Sequence, residues 1–541
     1  MPEVATKPAR PVSDRSPRSE PPTFLPYDPV LGVASPEARL ALSEKKMLEL
    51  AKHRDTKLFH AAATSAYPLP SPQARQVWGA EQARHLFSRA GFGLSVEGLQ
   101  FLLTLSHEDA LNALLADAPL PNPPGTWVTE PFDRQAYAQW TREQQQAWQM
   151  QNRQRLFETI AWWYERMMTT LFNLREKMTL FWHGHFTSDY RTVQLAQFLY
   201  LQNAAWRTHA FGNFRDFLKA MYKDPAMLIY LDGVRNVASQ PNENFARELL
   251  ELFTMGVGNY SEEDIKAAAR AFTGWEVDTI TLGSRLNTRR HDRGSKTFMG
   301  RTGNFGGDEI IDLVLEQAAT AKHICKKLYE FFVSREVDEA FVDDLANTLR
   351  ASNYEIKPVL RRIFENDFFY NEKAVAALIK APVDLAVSNA RTLVVDRLHA
   401  RYLISAVASL NQELLNPPNV AGWPGQRDWI SPTTFVSRNA FSETYIVGGT
   451  IENPGGNNGP IRFDAMRFAR SFNLNTAREL AQAMAAHLLA IPLEPEAFEA
   501  VLTVLVGSAD PADWSLDYPG AEEQVRGFLV ELLRQPEFHL A

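Results

Sequence analysis

Asn242-Glu243-Asn244-Phe245-Ala246-Arg247-Glu248-Leu249-Leu250-Glu251-Leu252-Phe253 is the stretch that decides the fold class. Phe245, Leu249, Leu252 and Phe253 recur at i, i+4, i+7 and i+8, which is one apolar stripe of a helix. Gly256 and Gly258 stop it, because glycine enters the left-handed conformation that ends helices. Ser261-Glu262-Glu263-Asp264 restarts the chain with a capping-box pattern and an acidic first turn. Ile265, Ala268, Ala269 and Phe272 form a second stripe, closed by Gly274. The pair reads as an αα-hairpin.

Past Trp275 the helical period breaks. Val277 to Thr281 alternates like a short strand, and Gly283, Asn287 and Gly294 supply turns, so a β hairpin or flap is expected at about 276–303. Elsewhere helical stripes alternate with short breaks. The expected class is all-α: a multi-helix body with this one small flap.

The organisation follows from composition. Residues 1–35 are rich in Pro, Ser and charge and should form a disordered arm; 36–78 read as a helix and linker. The main helical domain is expected over 79–445, then a Gly/Asn-rich loop at 446–461. A helical segment at 462–541 should pack on that domain. From Arg134 to Thr170 there is no Pro or Gly, which predicts one long helix or a kinked pair. At 541 residues the chain exceeds one ordinary core.

A net charge of −8 argues against a general nucleic-acid binder. No run of 18 apolar residues offers a membrane span, and no apolar h-region marks a secretory signal, so a cytoplasmic protein is expected. The single Cys325 excludes an internal disulfide and a multi-cysteine zinc site, and reads as a small buried residue. No P-loop, GxSxG, Rossmann fingerprint or EF-hand loop is present.

Four segments together resemble a known bacterial family, domain of unknown function 1800. They are His85-Leu86-Phe87-Ser88-Arg89-Ala90-Gly91-Phe92-Gly93, Arg175 to Phe186, Asn242 to Trp275, and His291 to Gly303. Ala421-Gly422-Trp423-Pro424-Gly425 matches a fifth feature, and the likeness covers roughly 80 to 541. The resemblance implies a gene neighbour encoding a sulfatase-like protein, hence a partner, and brings no activity. Members often carry export signals, from which this chain departs.

Three chemistries follow from the residues. His183, His185 and Asp292 are candidate ligands of a divalent metal, since imidazole and carboxylate suit zinc, iron or manganese. Two histidines at i and i+2 converge only if the helix ends at Gly184; otherwise they sit at a helix C-terminus. His183 or His185 could also ligate haem, though no CxxCH is present. His291, Glu243 and Glu248 are the candidate acid–base residues, with His291 and Asp292 pointing to opposite faces of an extended segment.

Arg285, Arg289, Arg290, Arg293, Lys296 and Arg301 are six cations in seventeen residues, a local attraction for an anion or a basic turn resting on acidic helices. Candidate substrate contacts are Arg89, Asn242, Asn244, Arg247, Arg270, Arg290 and Lys296. Arg89 could equally cap its own helix, and Arg247 and Glu248 could form structural ion pairs with the neighbouring helices. The expected pocket joins the His183 turn, the Asn242 helix and the His291 flap. Two function classes fit: a hydrolytic or group-transferring enzyme on an anionic substrate, with or without a metal, or a non-catalytic partner protein that contacts through its arm and the Trp423 loop.

Overall fold

The computed structural model describes residues 78–395, 400–451, 459–461 and 463–541. They belong to one compact unit spanning 43–541; the remaining unit, 1–42, and the expected arm and linker up to 77 lie outside the described residues. One continuous apolar cluster runs from Ala83 to Phe538, with helices around it on all sides. Among the described residues β-structure is confined to short antiparallel pairs. The mostly helical class is as read from the stripes.

The flap is two hairpins rather than one. Trp275–Asp278 pairs with Gly283–Leu286, and Lys296–Phe298 pairs with Arg301–Gly303. A third pair, Gly449–Ile451 with Gly459–Ile461, occupies the stretch expected as a plain loop at 446–461. The Arg134 stretch is the kinked alternative: helices Arg134–Ala138 and Arg142–Thr169, the second opened by a capping box at Thr141 and Gln144.

The decisive αα-hairpin is present with one change. Asn244–Glu248 is α-helical, but Leu249–Thr254 is a π-helix. Gly256 and Gly258 then take φ of +79° and +87°, and the Ser261 capping box starts helix Glu262–Ala271. A π turn puts an extra residue into the helix, and such turns recur at functional sites.

Two further elements position the site. Helix Leu174–His185 packs along helix Ala196–Thr208. Helix Pro225–Tyr230 is capped by Asp224, whose Oδ1 accepts from Met227 N at 2.8 Å and from Gln202 Nε2 at 2.7 Å. Burial pushes the Asp224 carboxyl up from 3.8 to about 7. In the unfolded chain it ionises near 3.8, so its stabilising contribution is fully present below that pH. It is lost as pH rises through about 7. Asp224→Asn keeps the accepting oxygen and removes the charge. Between pH 5 and pH 7 the wild type should therefore lose about 2 kcal/mol relative to Asp224→Asn, read from parallel urea melts. Parallel pH curves would place the charge in water.

Candidate functional site

Helix Leu174–His185 does not end at Gly184, so its two histidines face different sides. His183 is fully buried. Its Nε2 accepts from Leu415 N at 2.9 Å, and its ring lies 5.6, 4.8 and 5.2 Å from those of Trp163, Trp206 and Trp423. With Nε2 accepting, Nδ1 holds the proton, and burial lowers the pKa to about 3. His185 turns the other way, donating from Nε2 to Phe253 O at 3.1 Å and accepting at Nδ1 from Lys327 Nζ at 3.2 Å.

Asp292 belongs to neither environment. Its carboxylate takes two bonds from Arg270, at 2.6 and 3.2 Å, which with Lys296 hold its pKa below the usual range. The three expected metal ligands therefore have three separate sets of partners. Among the described residues, no group of three or more His, Cys, Asp or Glu side chains could hold a metal ion. The set His183, His185, Asp292 is corrected to two core histidines and a flap ion pair. Both rings are neutral, and each spends its accepting nitrogen inside the protein.

The flap cations are mostly consumed internally. Glu276 takes Arg290 at 3.1 Å and Arg285 at 3.4 Å, and Arg301 pairs with Glu316. Lys296, buried, donates to the carbonyls of Asp292 and Gly294 at 2.7 and 3.0 Å. Arg247 grips Glu262 through two 2.8 Å bonds and reaches Glu243 at 3.2 Å. Arg247 thus forms the expected structural ion pair with the neighbouring helix, and Glu248 makes no such pair among the described residues. Arg89 is buried and donates to Ala374 O, tying its helix to a distant loop rather than capping its own end. Asn242 accepts at Oδ1 from Asn244 N, a local turn of 2.9 Å. Arg289 and Arg293 are exposed and have no ion-pair partner among the described residues.

His291 Nδ1 donates to Thr273 O at 2.9 Å. The flap is tied through Ala238 N to Arg290 O and through Gly274 N to Asn236 O, with Asn236 Oδ1 in turn holding Asn242 N. It thus joins the start of the Asn242 helix. No hydrogen bond or ion pair among the described residues joins it to the turn after His183. Of the expected three-way meeting, bonds carry two contacts: the flap to the start of the Asn242 helix, and the turn after His183 to its π end.

The contact between that turn and the π end of the Asn242 helix is the candidate site. The turn Gly184 to Tyr190 touches the 415–423 loop three ways. Thr187 Oγ1 donates to Val420 O at 2.8 Å, Tyr190 N to Leu415 O at 2.9 Å, and Gly184 O lies against Gly422. Through His185 the same turn reaches the π segment. Glu248, at the head of that segment, is half-buried and makes no hydrogen bond or ion pair with any described residue. Burial first, then Glu251, raises its pKa; Arg247 opposes. Burial, Asp189 and Glu248 raise the Tyr230 phenol, and a bond to Thr187 opposes them. Asp189, Thr187 and Glu248 thus each act on Tyr230.

Tyr230, Lys327 and His323 were not found from the sequence. Lys327 carried a weak signal: it lies one turn from both Ile324 and Phe331, on the flank of an apolar stripe. Gly422 lay in a loop that the resemblance had marked.

Comparison with known proteins gives one result. The family model described as "Protein of unknown function (DUF1800)" matches residues 85–540, so the chain belongs to that family. No curated protein and no solved structure matched. No helix among the described residues is long and apolar enough to cross a membrane.

Proposed function

We propose that this member of the family is an enzyme, hydrolytic or group-transferring, in which Glu248 moves the proton. The observation that carries this is the state of Glu248: a carboxylate half out of water, beside a second glutamate, and unpaired among the described residues. A structural acid so placed is ordinarily matched by a cation, as Glu243, Glu262 and Glu276 are. A raised pKa makes a carboxylate a better base near neutrality, which suits general acid–base catalysis. Tyr230 supplies a hydroxyl within its electrostatic reach. For substrate class we retain an anionic ester: the flap, which joins the same helix at its start, carries in Arg289 and Arg293 two cations that no described acid neutralises.

The test uses nitrophenyl phosphate, nitrophenyl sulfate and nitrophenyl acetate with wild type and Glu248→Gln. Turnover of an anionic ester should fall by about 100-fold or more in the variant, the scale of a lost general base. The acidic limb of its pH profile should vanish, and the melting temperature should stay put. Turnover retained by Glu248→Gln, or none of the three esters cleaved by wild type, would overturn the proposal.

A further inference from the structure

Helix Ala318–Phe332 sets His323 and Lys327 one turn apart against the end of the π segment. His323 Nε2 bonds Leu252 O at 3.1 Å, and His185 Nε2 bonds Phe253 O at 3.1 Å. The carbonyls at this helix end are thus already served, which is the usual reason for a cation there. Lys327 Nζ adds bonds to Leu252 O at 3.3 Å and to His185 Nδ1 at 3.2 Å. No acid among the described residues lies within ion-pair distance of it. By contrast Lys177, Lys266 and Lys322 each meet a carboxylate. Lys327 is half-buried as a residue, with its amine withdrawn from water.

The hydrogen count is what singles this amine out. His185 Nε2 carries the proton given to Phe253 O, so His185 Nδ1 can only accept. Two acceptors, His185 Nδ1 and Leu252 O, match the two hydrogens of a neutral amine and leave its lone pair in the remaining direction. An ammonium would hold a third hydrogen there with no protein acceptor. We propose that Lys327 is a reactive amine that forms an imine with the carbonyl group of an aldehyde or ketone ligand. The Nζ lone pair forms a bond to the carbonyl carbon while the carbonyl oxygen takes up the proton that nitrogen sheds. Loss of that hydroxyl as water, with the second hydrogen of the nitrogen, then leaves the carbon–nitrogen double bond, with no oxidant or reductant needed. Burial supports this by lowering the amine's pKa to about 8, with Glu330 opposing from longer range. This inference is independent of Glu248.

Full-length protein is treated at pH 7 with propanal and cyanoborohydride, and alkylated lysines are mapped by peptide mass spectrometry. Lys266 and Lys322 are internal references, since their acid partners raise their pKa values. Lys327 should be alkylated at least about tenfold faster than either, because more of it is unprotonated at neutral pH, and its rate should saturate with propanal. Lys327→Met should lose that adduct while the two references keep their wild-type rates. Alkylation of Lys327 no faster than Lys266, or a rate strictly linear in propanal, would overturn the proposal. Both readings come from the wild type and survive a poorly folding variant.

Discussion

Replacing Arg207 by Leu should cost about 3–5 kcal/mol of stability, the range for stranding one member of a buried ion pair. Arg207 and Glu176 have side chains only 1% and 6% exposed. Two parallel bonds join them, Nε to Oε1 at 3.2 Å and Nη2 to Oε2 at 2.6 Å. Asn203 takes the remaining Nη, and the guanidinium lies 4.6 Å from the Trp162 ring. Removing Arg207 leaves the Glu176 carboxylate buried in the core without its bonded counter-charge, with Arg175 acting on it only at longer range. Adding Glu176→Leu should recover much of the loss, because the penalty lies in the stranded charge rather than in the pair itself. Urea denaturation of wild type, both single variants and the double decides it. A double variant as unstable as the two singles summed would show that packing, not charge, holds these helices. The pair fixes helix Leu174–His185 on helix Ala196–Thr208, so the single variants should also loosen the turn that follows His185.

The sequence made visible whatever local rules govern. The stripe of Phe245, Leu249, Leu252 and Phe253 gave the helix, and Ser261 with Asp264 gave the next start, realised as a capping box. Gly256, Gly258 and Gly274 were read as stops, and all three have positive φ. The π turn was not legible, because an α stripe and a π stripe over six residues look alike. What holds it comes from elsewhere: Thr254 Oγ1 donates to Leu249 O within the segment, while His185 and His323 bond its last carbonyls. The i, i+2 spacing of His183 and His185 showed that they diverge on a continuous helix, but not that Leu415 would meet one and Lys327 the other. The basic run in the flap was plain, yet Glu316, which neutralises Arg301, stands outside it, and Glu276, which holds Arg290, lies at its far end. Spacing counts charges along the chain, whereas pairing is decided across it. Glu248 stood out for a related reason: it lies off the stripe in a helix whose other acids have partners in the structure.

Gly422→Ala should destabilise the protein by about 2–4 kcal/mol and open the candidate site. Gly422 has φ of +80°, where an L side chain pays about 1–2 kcal/mol. A Cβ there would sit 2.4 Å from Gly184 O and 3.3 Å from Gly184 C, atoms of helix backbone that cannot rotate aside. Relief requires the 420–423 loop to withdraw from the turn. That would strain the bond from Thr187 Oγ1 to Val420 O and lift Trp423 from the His183 ring. Gly184 itself is the control. Nothing lies within 4 Å of a Cβ built on it, and it sits inside a helix with ordinary φ. Gly184→Ala should therefore be neutral or stabilise by about 0.5–1 kcal/mol through helix propensity. Urea melts give the stabilities, and Trp423 fluorescence reports whether the loop has left His183. The opposite signs are the informative result: if both alanines destabilise equally, the contact depends on Gly184 being small, and the loop packs on its Cα rather than on its carbonyl. If Gly422→Ala is silent, the loop is free to move, and the wall it gives the Glu248 site is not fixed.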